Sequence, residues 1–224
     1  MLRKLLFRLA KTPSMGKVIG NVFRYGSWLL PVQKLYLTKD TIAFPHPRPS
    51  YDDHIILSPR KAIPNLFRIS PDGKELDGIW RCIHELQQKY EAFHEQFTLV
   101  ANGGPRQEVQ QLHLHLFSRP ALVKNWRYKG LNPPPLYCNE SLRLLRSPEP
   151  QWTLHFIIEP IFSINSKEGA ASRSYPFSHL LECLQWLDFN FALAKKGYSL
   201  IYQYTKTYSG DETVIFHVIS GAKL

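Results

Sequence analysis

The chain has few cysteines and no long apolar run, and each absence restricts the classes of protein to which the chain can belong. Its 224 residues include three cysteines, Cys82, Cys138 and Cys183, which are odd in number and widely spaced. That usage argues against a disulfide framework or a zinc knuckle and favours a reducing compartment. Because no stretch of about 18 apolar residues occurs, the sequence predicts no membrane-spanning helix. We therefore expect a cytoplasmic protein with an ordinary packed core, which its 44% of hydrophobic residues can supply.

Acidic residues are missing from the first 39 positions, which carry eight lysines and arginines. Since the formal net charge of the whole chain is +10, its basic character belongs mainly to this end. Four leucines between positions 2 and 9 follow helical spacing with basic residues between them, which predicts an amphipathic helix over residues 1–12. Such a helix docks on its own domain or makes a peripheral contact with an anionic membrane surface. We expect no specific nucleic-acid partner.

Polar and apolar residues alternate between positions 111 and 116. A period of two is typical of a β-strand, so Gln111, His113 and His115 are expected on one face, with the intervening leucines in a core. Side chains on that face are about 7 Å apart, given a rise of about 3.3 Å per residue. Two imidazoles and an amide at that spacing can surround a phosphate, with the middle imidazole as nucleophile.

This row resembles the motif of the histidine-triad (HIT) superfamily, His-φ-His-φ-His-φ-φ with φ apolar, and Gln111 takes its first position. The run Asn102-Gly103-Gly104 before Gln107 is similar to the family's Asn-x-Gly…Gln-x-Val approach to the triad. Further upstream, residues 53–59 are similar to its Gly-His-x-Leu-Val-x-Pro strand. The resemblance covers roughly residues 35–118.

The resemblance implies nucleotidyl transfer, in which the middle histidine attacks the α-phosphorus of a nucleotide. The covalent nucleotidyl-histidine then passes its nucleotide to water, phosphate or a sugar phosphate. A neutral imidazole suits this role, because its reference pKa of about 6.5 leaves it unprotonated near pH 7. A glutamine can orient a neighbour but cannot act as an acid. The implied catalytic residues are His113, His115 and Gln111, and the implied nucleotide or phosphate ligands are Gln107, Asn102, Gly103, Gly104, His54 and Asp53, with Asp52 or Asp53 toward the ribose.

The His-x-His pair leaves two alternatives open. One is a zinc site, against which stands the lack of a nearby cysteine or acidic cluster to complete a tetrahedral shell. The other is a non-catalytic nucleotide-binding or interaction module that keeps the pocket. The sequence identifies no metal ligand set and no definite cofactor, and it leaves open whether Mg²⁺ assists.

The second half of the chain repeats the first at an offset near 101. His54 matches His155, and His115 matches His217. The pattern of each half predicts the order strand, strand, helix, strand, strand, with helices at residues 76–96 and 177–195. Ile215 stands at the position of His113, so the second copy is expected to have lost the chemistry. A chance match between short apolar strands is the alternative.

The predicted fold is α+β, with an antiparallel HIT-like sheet, helices, and two tandem units that form a pseudo-dimer. It resembles the two-unit members of the superfamily, the galactose-1-phosphate uridylyltransferases and dinucleoside-polyphosphate phosphorylases. The predicted parts are a basic segment (1–34), the unit with the site (35–119), a proline-rich linker (120–150) and the degenerate half (151–224). We expect a monomeric core.

The sequence therefore predicts a hydrolase or nucleotidyltransferase that acts on a nucleotide-containing small molecule through a nucleotidyl-His113 intermediate. Nothing in it decides between water and a phosphate acceptor. A further hypothesis is that the basic helix brings the site to a nucleotide-activated lipid at a membrane surface.

Overall fold

A computed structural model of the chain describes residues 33–118, 133–161, 177–206 and 212–223. The predicted helix at residues 1–12 and residues 120–132 of the predicted linker lie outside these ranges. None of the described helices is both long and apolar enough to cross a lipid bilayer.

In the described part of the chain, ten strands form a single antiparallel sheet to which each half contributes five. The first half supplies β1 (Tyr36–Leu37), β2 (Thr41–Pro45), β3 (Ile55–Pro59), β4 (Gln96–Gly103) and β5 (Leu114–Phe117). The second half supplies β6 (Tyr137–Cys138), β7 (Leu142–Arg146), β8 (Trp152–Pro160), β9 (Tyr198–Lys206) and β10 (Glu212–Lys223). Their order is β1-β2-β3-β5-β4-β9-β10-β8-β7-β6, so the second half is the mirror order of the first.

The two halves meet where β4 pairs with β9. Val100 lies opposite Ile201 in this pairing, and these two residues are themselves related by the offset of 101, so a pseudo-twofold axis passes between them. The other pairings repeat as well: β5 on β3 matches β10 on β8, as in the pairs Ile55–Leu116 and Phe156–Val218. The repeat in register confirms two tandem units in a pseudo-dimer, because a chance likeness of short strands would not reproduce every pairing.

Two helices of similar length cover one face of the sheet, α1 (Lys74–Lys89) and α2 (Phe177–Phe191). Apolar residues recur on each helix at spacings of three and four, and these stripes are buried in one core, with Cys82 on α1 matching Cys183 on α2. Trp80 of α1 stacks on Phe177 of α2 with ring centroids 5.4 Å apart. The opposite face of the sheet is therefore the one left for the histidines.

The structure corrects three predicted boundaries. Helix α1 ends at Lys89 rather than near residue 96, because Tyr90 turns extended and a 3₁₀ turn, Glu91–Phe93, follows. The second helix breaks at Ala192, which takes a left-handed φ of 55°, and a short α3 (Leu193–Lys196) follows.

The third correction concerns the linker predicted over residues 120–150, since β6 and β7 of the second half lie within it. The prolines there flank the strands instead of entering them. Pro148 and Pro150 occupy the β7–β8 loop as Pro47 and Pro49 occupy the β2–β3 loop, again at an offset of 101. Short edge strands next to prolines carry little local pattern, so composition alone gave the appearance of a linker.

Candidate active site

The candidate site lies on the face of the sheet away from the helices, at the start of β5. Leu112 and Leu116 are buried in the core as expected, and His113 and His115 turn to the other face. Their rings meet edge to face, with centroids 5.1 Å apart. The strand period therefore places the two imidazoles together.

His113 is held in one tautomer by the main chain. Its Nδ1 lies 2.8 Å from the carbonyl oxygen of Gln111, and a carbonyl can only accept, so Nδ1 carries the hydrogen. The Nε2 atom then carries the lone pair of the ring. Burial lowers the pKa of His113, although the hydrogen bond to Gln111 opposes this shift, so the ring is neutral near pH 7.

The Gln111 side chain departs from the expected row. Regular strand geometry starts only at Leu114, so the alternation does not extend back to Gln111. Its buried amide donates to the carbonyl oxygens of Pro59 (2.9 Å) and Lys61 (3.0 Å). Gln111 thus ties the end of β3 to the loop before His113 and orients that ring through its own carbonyl. The expected row of three side chains is a row of two.

His115 takes its tautomer from a chain of hydrogen bonds. The backbone N–H of Ser50 donates to His54 Nδ1 (3.3 Å), which leaves the ring hydrogen of His54 on Nε2. That Nε2–H faces His115 Nδ1 at 2.9 Å and donates to it. His115 therefore carries its hydrogen on Nε2. Burial lowers the pKa of His54 to about 4 and that of His115 to about 3, so both rings are neutral donors at pH 7.

A further imidazole, His46, lies against this pair. Its ring stacks on His54 with centroids 4.1 Å apart and an interplanar angle of 5°, and it lies 5.6 Å from His115. The backbone N–H of Arg48 donates to its Nδ1 (3.1 Å), so His46 also carries its hydrogen on Nε2. Burial lowers the pKa of His46 as well.

His46, His54 and His115 form a three-imidazole cluster in which one ring nitrogen of each lies within 4.8 Å of the others. Such a cluster has the composition of a metal site. However, a ligating imidazole presents a lone pair to the metal and normally donates its other N–H to an acceptor. In His46 and His54 the second nitrogen accepts a backbone N–H instead. The hydrogen-bond polarity of the cluster therefore suits an oxyanion better than a cation.

The predicted loop residues mostly hold the site together. Gln107 donates to the carbonyl of Val109 (2.7 Å) and so supports the approach to His113. Asn102 stands one residue beyond the Ala101–Leu114 pair of the sheet, which puts it on the same face as His113. Its Oδ1 accepts from Ser199 Oγ (2.7 Å) of β9, which identifies the oxygen of this amide and holds it against the other half.

The two glycines allow a close approach between the halves. At Gly103 an added Cβ would meet the Tyr198 ring, and at Gly104, where φ is +60°, it would meet the carbonyl of Ala194. Asp53 accepts a hydrogen bond from Ser118 Oγ (2.8 Å), which engages its carboxylate at the end of β5. The role of Asp52 or Asp53 toward a ribose stays a prediction.

Two residues to which the sequence assigned no role, His46 and Ser199, belong to this environment. His46 lies in a proline-stiffened loop, and its distance from the motif, 67 positions before His113, hid the contact. Ser199 comes from the other half. A histidine between two prolines directly after a buried strand was the available indication for the former, and nothing local indicated the latter.

The fold and site define a two-unit HIT-like protein, and comparisons with known proteins agree. Residues 30–122 match the family model for the HIT domain. The chain is 28% identical over 93 residues to the bifunctional bis(5'-adenosyl)-triphosphatase/adenylylsulfatase FHIT of Arabidopsis thaliana, covering 40% of this chain and about half, 51%, of that protein. Residues 30–122 are thus similar to the HIT domain, and the resemblance to the histidine-triad superfamily is confirmed.

Solved structures extend the likeness in fold to both halves. An ADP-glucose phosphorylase from Arabidopsis thaliana with bound ADP-glucose has a TM-score of 0.62 at 10% identity, covering 91% of this chain and 81% of that one. A GalT-like protein from the same plant has a TM-score of 0.61 at 10% identity, covering 89% and 81%. The α+β fold with two HIT-like units is therefore shared with these proteins.

Proposed function

We propose that this protein is a nucleotidyl hydrolase or nucleotidyltransferase that works through a covalent nucleotidyl-His113 intermediate. The observation that carries the proposal is the 2.8 Å contact between His113 Nδ1 and the Gln111 carbonyl, which presents a neutral Nε2 lone pair beside His115. The similar FHIT protein is named as a triphosphatase and adenylylsulfatase, and one similar structure is that of an ADP-glucose phosphorylase. Both activities are reactions at the phosphate groups of a nucleotide, which supports the same class of chemistry here.

In the first step His113 Nε2 attacks the α-phosphorus and a P–N bond forms. The bond to the leaving group breaks with its electron pair on the departing oxygen or, in a phosphoramidate, on the departing nitrogen, and a basic leaving group takes a proton from solvent. The His115 ring meets that of His113, and Asn102 stands one residue beyond the Ala101–Leu114 pair, on the same face as His113. In this proposal the Nε2–H of His115 and the amide of Asn102 donate to the phosphoryl oxygens, where charge develops. The Gln111 carbonyl stabilises the charge that His113 acquires. In the second step an acceptor oxygen attacks phosphorus and the P–N electron pair returns to Nε2.

Intact-protein mass spectrometry tests the intermediate directly. The wild-type protein and His113→Ala would be mixed briefly with dinucleoside polyphosphates, nucleotide sugars and nucleoside phosphoramidates, with Mg²⁺ and with EDTA. We expect a mass gain of one nucleotide in the wild type only. Chasing the adduct with water, phosphate or a sugar phosphate then identifies the acceptor. Nucleotide binding by both proteins without an adduct or turnover would instead support the non-catalytic binding module.

We also propose that the core is monomeric, because β4 and β9 already pair the two units within one chain. Sedimentation equilibrium of the full chain should give a mass near 26.0 kDa. For residues 1–12 we propose a peripheral contact with anionic membranes, which could bring the site to a nucleotide-activated lipid. Pelleting with phosphatidylserine vesicles should depend on these residues, and equal pelleting after their removal would refute the contact.

A further inference from the structure

The second half of the chain repeats the paired imidazoles of the site without its nucleophile. Gln151 N–H donates to His155 Nδ1 (3.4 Å), and His155 Nε2 lies 3.1 Å from His217 Nδ1. The same two hydrogen bonds join the matching residues of the first half, but Ile215 takes the position of His113. The second half therefore has no nucleophile in this place, and its contribution to the site has to pass through the junction between the halves.

Arg106 crosses this junction from the 3₁₀ turn Gly104–Arg106 that follows β4. Its Nη1 donates to Ser199 Oγ (3.3 Å) of β9, and its Nη2 donates to the carbonyl oxygen of Gly221 (2.6 Å) in β10. The stem of the side chain passes Gly197, where φ is +83° and an added Cβ would lie 3.1 Å from Arg106 Cγ. Contacts with three positions of the second half therefore hold the guanidinium group in one place.

The hydrogen bonds that start at Arg106 have a fixed direction. A guanidinium group has donors only, so its contact with Ser199 uses a lone pair of Oγ and leaves the single hydroxyl hydrogen for another acceptor. Asn102 lies opposite Ser199 in the β4–β9 pairing, and its Oδ1 is 2.7 Å from Ser199 Oγ. The chain therefore runs from Arg106 through Ser199 to Asn102, and each hydrogen bond polarises the next.

This direction selects one of the two orientations of the Asn102 amide. The oxygen and the N–H₂ group of an amide have nearly the same shape, so hydrogen-bond partners decide which end faces which neighbour. Because Ser199 approaches as a donor, it holds the oxygen and leaves the N–H₂ group to donate elsewhere. Without Arg106, the Ser199 hydroxyl can rotate and accept from the N–H₂ group, which permits the reverse orientation. In the proposed reaction a reversed amide would bring an acceptor oxygen toward a phosphoryl oxygen, and two acceptors repel each other.

From these contacts we infer that Arg106 is a positioning residue, which acts through Ser199 to keep the donor end of the Asn102 amide available to the phosphoryl oxygens. The inference rests on the proposed function for the position of the α-phosphate at His113. It gives the second half a defined part in the reaction, because that half carries the serine through which a guanidinium group of the first half orients an amide of the same half.

Steady-state kinetics of the full chain, on a substrate found by mass spectrometry, test this role. Arg106→Met keeps an apolar stem against Gly197 and removes the donors. We expect kcat to fall about three- to tenfold with KM within twofold, because the amide acts on charge that develops in the transition state. In a Ser199→Ala background the same change should lower kcat less than twofold, since the chain of hydrogen bonds is already broken. The matched control is Arg143→Met, which removes a guanidinium group paired with Glu159 (2.8 Å) in the second half and should leave kcat within twofold.

An equal loss of kcat from Arg106→Met with and without Ser199 would overturn the inference and leave the proposed function standing, and so would an unchanged kcat. Amide ¹H–¹⁵N spectra give a test that needs no turnover. The side-chain signals that are missing from Asn102→Asp belong to Asn102, and they should shift or double in Arg106→Met and in Ser199→Ala but not in Arg143→Met. Unchanged signals would refute the inference whatever the substrate. Absence of both adduct and turnover in the wild type would overturn the proposed function instead, and the amide signals would still test the orientation of Asn102.

Discussion

The two halves of the sheet share a histidine pair and differ in what stands beside it. His54 and His115 adjoin His46 and His113, whereas His155 and His217 adjoin Ser147 and Ile215. His217 is fully buried, and its Nε2 has no hydrogen-bond partner among the described residues. The second half therefore keeps the hydrogen-bonded scaffold without a nucleophile. The paired imidazoles therefore belong to the fold, whereas His46 and His113 are among the residues that stand beside the pair in the first half alone.

The largest difference in turnover between matched variants of the two halves is expected at the position of His113. His113→Ala should lower turnover by at least about 10³-fold, because it removes the atom that forms the covalent bond. Ile215→Val at the matching position should leave turnover within threefold. Steady-state rates on a substrate found in the mass-spectrometric panel measure both. Comparable losses in the two variants would contradict the assignment of the chemistry to the first half.

The histidine pair should have different consequences in the two halves. His54→Ala removes the donor that fixes the His115 tautomer, so we expect turnover to fall about 10- to 100-fold, with partial recovery in His54→Gln. His155→Ala leaves buried His217 unpaired and should cost about 1–3 kcal/mol of unfolding free energy with turnover nearly unchanged. Urea unfolding and steady-state kinetics distinguish the two effects. A loss of turnover in stably folded His155→Ala would show that the second half takes part in catalysis.

The pH dependence of the free energy of unfolding should also distinguish the two halves, because we expect His155 and His217 to affect folding and not turnover. Burial lowers the pKa of His155 to about 4 and that of His217 to about 3, below the unfolded value of about 6.5. As pH falls below about 6.5 the unfolded chain takes up protons that the folded chain does not, so this stability is present above pH 6.5 and is lost toward pH 4 and then 3. Each histidine contributes a slope of at most about 1.4 kcal/mol per pH unit. The free energy of unfolding, measured with urea between pH 7.5 and 6.0, should decrease as the pH falls. Replacing both His155 and His217 with glutamine should reduce this slope. An equal slope in the wild type and the variant would refute the assignment of the pH dependence to this pair.

The smallest effect is expected where one half supports the other. Ser199→Ala removes the donor to Asn102 and should lower turnover about 3- to 10-fold, because the amide beside His113 is no longer held in one orientation. Ser220→Ala removes another buried serine of the second half, which bonds the carbonyl of Gly197 (2.6 Å), and should affect stability only. Ser199→Thr keeps the hydroxyl and should restore the rate. Equal turnover in all three variants would show that Asn102 needs no support.

Much of this arrangement could be predicted from local patterns. The alternation around His113 predicted the core-facing leucines and the two imidazoles on one face, because strand geometry is fixed by a period of two. The spacing of apolar residues predicted both helices, and matching residues 101 apart predicted the duplicated unit. The helix ends and the linker were less accurate, because single turns and short edge strands have little pattern of their own.

The sequence by itself determined the nucleophile candidate, the pair of halves and the loss of His113's counterpart at Ile215, since each follows from residues close together in the chain or from a constant offset. Only the tertiary structure decided what Gln111, His46 and Ser199 contact. Gln111 left the row because the strand begins three residues later. His46 and Ser199 reach the site from 67 positions before and 86 positions after His113. Which nitrogen of each imidazole carries the hydrogen depends on the backbone N–H or carbonyl that the fold brings to the ring. Those partners are set by packing across the sheet.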